Sequence, residues 1–128
     1  MIVDSSAIVA ILLREPGWET LVRKLGAAPD AGVGAPTLAE TGLVLTVKLG
    51  KDARPALSRF LQEASLTVIP FGEEHWRTAV EAYTRFGKGR HAAALNFGAC
   101  LTYATARLAG QPLLCHGDGF PKTDLDLA

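Results

Sequence analysis

Three acidic residues, far apart in the chain, stand where a carboxylate can do chemistry. Asp4 directly follows the apolar run Met1–Val3 and precedes Ser5 and Ser6. Glu40 closes the stretch Thr37-Leu38-Ala39-Glu40 after Pro36, and Asp118 lies within Cys115-His116-Gly117-Asp118-Gly119-Phe120, just past the run Pro112–Cys115. Each has an ordinary explanation. Asp4 fits an N-cap, which contributes about 1 kcal/mol. Glu40 fits a capping box and Asp118 a turn aspartate. Should the three converge on one crevice, their repulsion calls for protons or a hard divalent cation, and carboxylates with water suit Mg²⁺ or Mn²⁺. A cation so held lowers the pKa of a bound water, orients a phosphodiester and stabilises the leaving oxygen.

Convergence depends on the elements between these residues. Short apolar runs (Met1–Val3, Ala31–Gly34, Leu66–Ile69, Pro112–Cys115 and a weaker Thr123–Leu127) alternate with helical patterns near 5–13, 17–27, 37–49, 52–65, 73–86 and 95–109. That alternation predicts an α/β fold, an α/β/α sandwich around a central, mostly parallel sheet of four or five strands, in one domain spanning 1–128. In such sheets ligands gather beyond the carboxyl ends of the strands, where the acids lie. Helix 73–86 carries the stripe Trp76, Ala79, Val80 and Tyr83, and helix 52–65 the stripe Ala53, Leu57, Phe60, Leu61 and Ala64. Helix 37–49 has few charges beyond Glu40 and Lys48, so it is central or covered by another chain. On helix 95–109, Phe97, Cys100, Leu101, Ala104 and Leu108 make the predicted core stripe, with Ala99 off it beside Asn96 and Tyr103.

The 128 residues suit a single core without disulfide or metal staples. Apolar residues make 48%, charged residues 20%, and mean hydropathy is +0.19, which excludes disorder and leaves apolar surface for a partner. Thirteen basic residues balance thirteen acidic ones, so bulk charge points to neither a nucleic-acid coat nor a membrane surface. The segment Ala82–Gly117 nevertheless has no acid and holds Arg85, Lys88, Arg90 and Arg107. With no signal or anchor pattern at the start, and with Cys100 and Cys115 fitting no zinc spacing, a reduced, cytoplasmic setting with no membrane is expected.

The elements MIVDSSA, APTLAE, YTRFGKGRHAAALNFGAC and GQPLLCHGDGFPKTDL together resemble PIN-domain ribonucleases, specifically the VapC toxins of type II toxin–antitoxin systems, over almost the whole chain. The resemblance implies a PIN-like fold and a Mg²⁺-dependent endoribonuclease, Mn²⁺ being a possible substitute, that cleaves RNA phosphodiester bonds. It also implies a cognate VapB-type antitoxin and a homodimer through apolar helices. Of the four acids the family uses, three are carried here by Asp4, Glu40 and Asp118. Where an Asp follows the LNFG element in the family pattern, this chain has Ala99. Asp4, residue 99 and Asp118 are thereby the implied metal ligands. Ala99 marks either a natural loss of catalysis or an introduced inactivating substitution; the persistence of every other element favours the latter. Either way cleavage is expected to be strongly impaired. The alternative is a catalytically dead PIN-like module that sequesters an antitoxin or RNA.

Supporting roles fall to Ser6 and Asn96, each divided between helix capping and a hydrogen bond within the site. Lys88 and Arg90, in Gly87-Lys88-Gly89-Arg90-His91, are divided between a solvated loop and RNA phosphate contacts. Other chemistries fit poorly. His91 and His116 have no nucleophile elbow or tetrahedral ligand spacing around them, and the P-loop frame is absent. A signalling receiver would need an acid pair after the first strand and an Asp after the third, which ends Ile69-Pro70-Phe71.

Overall fold

In the computed structural model, which describes residues 1–128, the β-branched pair Ile2–Val3 forms β1, at the centre of a four-stranded parallel sheet. Its neighbours are β2 (Ala31–Gly34) and β4 (Leu113–Leu114), and β3 (Leu66–Ile69) lies outside β2, giving the order β3-β2-β1-β4. Register pairs Ile2 with Gly32 and Val3 with Leu114. Parallel neighbours require crossover connections, and helices supply them. They are α1 (Ser5–Leu13), α2 (Trp18–Ala27), α3 (Ala35–Leu49), α4 (Arg54–Glu63), α5 (Glu73–Phe86) and α6 (Phe97–Ala109). This is the α/β/α arrangement expected. The fifth strand does not form: Phe120–Lys122 make a 3₁₀ turn and Leu127 contributes one bridge to Leu113. Pro121 within that turn and the Thr123 hydroxyl on the Phe120 carbonyl keep the segment coiled.

Two apolar layers hold the sheet. One face packs Val3, Val33 and Leu114 with Ile8, Leu21, Leu45 and Leu57; the other packs Ile2 and Leu113 with Ala82, Phe86, Leu95, Tyr103 and Ala104. The alternation of strand residues between the faces follows from the period of two. Tyr103, 1% exposed, donates its hydroxyl to Asp124 at 2.7 Å, and Arg85 and Arg107 pair with the same carboxylate, tying the C-terminal segment to α5 and α6.

Two predicted faces turn out differently. On α5 it is Ala79, Ala82 and Phe86 that are buried, while Trp76, Val80 and Tyr83 lie on the open side. On α6, Phe97 is 79% exposed and Leu108 also faces solvent, because the helix is buried chiefly through Gly98, Cys100 and the run Thr102–Ala106. Small residues allow α6 to approach the sheet, α3 and α5 at once, and the ring at its entrance has nowhere inside to go. Helix α3 buries only Thr37, Thr41 and Leu45 and leaves Leu43 and Val47 open. No helix is long and apolar enough to cross a membrane.

Candidate active site

Asp4 leaves β1 and caps α1. Its backbone N–H donates to the Leu114 carbonyl at 2.9 Å, so the residue is held at the carboxyl edge between β1 and β4. The side chain is 95% buried. Its Oδ2 accepts from the Ser6 N–H at 3.0 Å and the Ser6 hydroxyl at 2.6 Å; Oδ1 accepts from the Thr102 hydroxyl at 2.6 Å. Asp4 is thus the N-cap of α1, whereas Ser6, already inside the helix, does not cap it and instead hydrogen-bonds the Asp4 carboxylate. Ser6 also accepts the His116 N–H at 3.0 Å, which pins the segment leaving β4 to the start of α1.

Glu40 reaches the same place from α3, by a route different from the one expected. No capping box forms. The helix starts at Ala35, with Gly34 as its N-cap and Pro36 in the first turn, where a missing N–H does no harm. Thr37 is consequently inside the helix and fully buried, and its hydroxyl meets that of Thr102 at 3.1 Å. Glu40 lies one turn further along, half-buried, with its carboxylate against Gly98 of α6. A Cβ on Gly98 would run into that carboxylate, so the close approach requires glycine. Burial raises the Glu40 pKa, the Ser5 side chain pulls it back, and the charge of Asp4 pushes it up again. The two carboxylates thus sense one another.

Asn96 caps α6, its Oδ1 accepting the Ala99 N–H at 2.9 Å. Ala99 is half-buried in the first turn. It lies one residue past Gly98, which abuts Glu40, and three before Thr102, which bonds Asp4. Lys88 and Arg90 stand in a turn closed by the Gly87–Leu95 bridge, immediately before Asn96, and the Arg90 guanidinium lies 5.5 Å from the Tyr83 ring centre.

Asp118 is not brought into the group. It is exposed in the turn after β4, and no three His, Cys, Asp or Glu side chains gather closely enough to hold a metal together. The positive φ of Gly117 (119°) leads the chain from β4 through the exposed Asp118 to the buried Phe120. The expected three-acid cluster of Asp4, Glu40 and Asp118 does not form, and the charge of Asp4 acting on Glu40 marks those two as neighbours.

The pair still fits a hard divalent cation in kind. Neither Asp4 nor Glu40 has a Lys, Arg or His ion-pair partner, although one is buried and the other half-buried. Mg²⁺ commonly uses only one or two carboxylates and keeps its remaining waters for substrate phosphates. The Cys115 thiol is pushed up to about 11 by burial and by the Asp4 charge.

Ser5, Thr37, Gly98 and Thr102 escaped the sequence reading. A signal for the threonines was present: Thr37 and Thr41 on one helix, Thr102 and Thr105 on another, at helical spacing within apolar surroundings.

Residues 1–125 match the PIN domain family. The VapC ribonuclease Mb2004c of Mycobacterium bovis is 49% identical over 127 residues, covering 98% of this chain and 91% of that protein. A ribonuclease VapC of Mycolicibacterium smegmatis is 38% identical over 125 residues, covering 98% and 97%. Among solved structures, Mycobacterium tuberculosis VapC20, described as a sarcin–ricin loop cleaving toxin, superposes with a TM-score of 0.79 at 18% identity over 99% of this chain and 97% of that one. FitAcB of Neisseria gonorrhoeae gives 0.70 at 21% identity, covering 98% and 94%. With a carboxylate pair at the carboxyl edge of a parallel sheet and relatives matched end to end, the chain belongs to the PIN-domain family, among the VapC ribonucleases.

Proposed function

We propose that this chain is the toxin of a toxin–antitoxin pair, built on a metal-dependent endoribonuclease site that Ala99 leaves strongly impaired. The observation that carries the proposal is the Asp4–Glu40 pair, uncompensated by any cationic side chain, beside a helix turn that displays residue 99. Asp4 and Glu40 would hold Mg²⁺, or Mn²⁺ in its place, with a carboxylate at 99 completing the set and Asp118 contributing charge from the exposed turn. When bound, the cation supplies a water of lowered pKa and charge neutralisation for an RNA phosphodiester. The chain's own residues do the rest. Ser6 and Thr102 orient Asp4, Gly98 admits Glu40, and Asn96 fixes the first turn of α6. Lys88 and Arg90, one turn from Asn96 and in no ion pair, are placed to take RNA phosphates.

Ala99→Asp tests this. Mn²⁺ affinity and Mg²⁺-dependent RNA cleavage should both rise over the parent chain; an equally inert, cation-blind variant would defeat the assignment. Ala99 itself supports a second reading, a catalytically silent module that only sequesters a partner, and that reading predicts RNA or antitoxin binding with no cleavage in either form.

For the partner we propose a VapB-type antitoxin. The solved neighbours include a toxin–antitoxin complex of Klebsiella pneumoniae and VapBC2 of Rickettsia felis bound to a promoter DNA fragment. Two apolar surfaces are open to an antitoxin segment and to a second copy. One is a groove of about 770 Å³ between α3 and α4, lined by Leu38, Leu43, Leu57, Leu61 and Val68. The other is the α5–α6 face with Val80, Tyr83 and Phe97. A cytoplasmic setting belongs to the same proposal.

A further inference from the structure

We propose that Thr102 is a positioning residue for Asp4, acting as the last link of a one-way hydroxyl chain that begins at Thr37; this rests on the reading of Asp4 as the acid that faces the cation. The direction of the chain follows from counting protons. The Thr102 hydroxyl donates its single proton to Asp4 Oδ1 at 2.6 Å. Thr102 can then only accept from Thr37 at 3.1 Å, and Thr37 is the donor. Both threonines are 1% exposed, so water does not compete.

The neighbouring threonines show what a buried helical hydroxyl does by default. Thr41 bonds the Thr37 carbonyl at 2.7 Å and Thr105 the Leu101 carbonyl at 3.1 Å, each four residues back in its own helix. Thr102 departs from that pattern. It forgoes the carbonyl of Gly98 and reaches across to Asp4, 98 residues away in sequence. On the other side, the His116 N–H occupies the Ser6 oxygen and the Ser6 proton goes to Oδ2. Ser6 belongs to the same turn as Asp4 and moves with it. Thr102 is the anchor from outside that turn, and its restricted χ1 makes it a firm one. Helix α6 thus sets both carboxylates, Asp4 through Thr102 and Glu40 through Gly98, while displaying position 99 between them.

The test compares Thr102→Val, Thr102→Ser, Thr37→Val and Thr41→Val in the full chain carrying Ala99→Asp. The two readouts are Mn²⁺ affinity by electron paramagnetic resonance and the Asp4 orientation in metal-free crystals. Thr102→Val should turn the Asp4 carboxylate and weaken Mn²⁺ about tenfold or more, the usual scale for losing a group that orients a ligand. Thr102→Ser should restore the orientation and most of the affinity. Thr37→Val should fall between, and Thr41→Val, which removes an equally buried hydroxyl, should change neither readout. Should Thr102→Val fail to fold, Thr37→Val against Thr41→Val decides. An unmoved Asp4 in Thr102→Val, or equal losses in Thr41→Val, overturns the proposal. A turned Asp4 together with no RNA cleavage in any variant upholds it and sinks the nuclease reading instead.

Discussion

Replacing Gly98 with alanine separates what stabilises α6 from what the site requires. Gly98 lies in the first turn of the helix, where alanine is favoured over glycine by up to about 0.5–1 kcal/mol. The three atoms nearest an added Cβ all belong to the Glu40 carboxylate, the far end of a flexible side chain. Glu40 can therefore swing outward without strain in α6, and the move also relieves the burial that raises its pKa. Gly98→Ala is expected to leave stability unchanged or raise it by up to about 1 kcal/mol, a melting shift of at most roughly 3–6 °C for a chain of this size. The Glu40 pKa should fall back toward 4.5, the value of an unperturbed carboxyl. In the Ala99→Asp background the same change should lower RNA cleavage at least tenfold, on the scale of a displaced catalytic group. Thermal melts, carboxyl NMR titration of Glu40 and a cleavage assay read the three quantities. A melting temperature that falls sharply would show that α6, and not Glu40, gives way. A Glu40 titration unchanged from the parent would refute the steric argument outright.

The raised pKa of Glu40 sets a pH dependence of definite sign. The folded state holds its proton more tightly than the unfolded one, so the residue is neutral in its effect below about pH 4 and lowers stability as pH rises through the folded value. Glu40→Gln should accordingly match the parent at pH 4 and be the more stable at pH 7 by chemical denaturation; a parent more stable at pH 7 would reverse the argument. Asp124 behaves oppositely. Burial alone would raise it, but hydrogen bonds from Tyr103 and Arg85 and the charges of Arg85 and Arg107 hold it below the usual carboxylate range. Its contribution is present above the unfolded pKa and lost as pH falls through the folded one. Asp124→Asn should cost about 1–2 kcal/mol at pH 7, discounted for the exposure of its arginine partners, and little in acid. Leu45, fully buried on the inner face of α3, should cost about 2–5 kcal/mol as alanine in urea unfolding, and a smaller loss would mean the site collapses to fill the gap. Cys115, with its thiol pushed up to about 11, should react with a disulfide reagent at pH 8 far more slowly than an exposed cysteine, and fast labelling would contradict its placement beside Asp4.

The elements were legible because their periods are strong. All six helices and the four strands lie where apolar spacing places them, and even the short β1 is marked by two β-branched or apolar residues followed by an acid. The same spacing misassigned faces. On α5 the bulky stripe members Trp76, Val80 and Tyr83 lie outward and Ala79, Ala82 and Phe86 are buried, since close packing against α6 favours alanine over tryptophan at the contact. The capping box at Thr37–Glu40 failed because Gly34 and Pro36 start the helix two residues early, which carries Thr37 into the core. Within the site, Asp4 and Glu40 were legible as acids at strand ends, and Asp118 was legible as an exposed turn residue but not as an outsider. Ser5 and Gly98 were silent, because a serine and a glycine declare no chemistry until their neighbours are known, and the spacing of Thr102 and Thr105 marked a buried hydroxyl without naming its partner.

By itself the amino-acid order determined the alternation of strands and helices, the parallel sheet and the carboxyl edge on which acids collect, since these follow from periodicity and from the way crossover helices must run. It also determined that residue 99 is an alanine, one carboxylate short of the set that the resemblance implies. Only tertiary structure decided which carboxylates meet. That outcome depends on the absence of a Cβ at Gly98 and on a threonine from the far end of the chain reaching Asp4. Such contacts join residues up to 98 positions apart, and no local pattern encodes a distance that arises only when two packed layers close on each other.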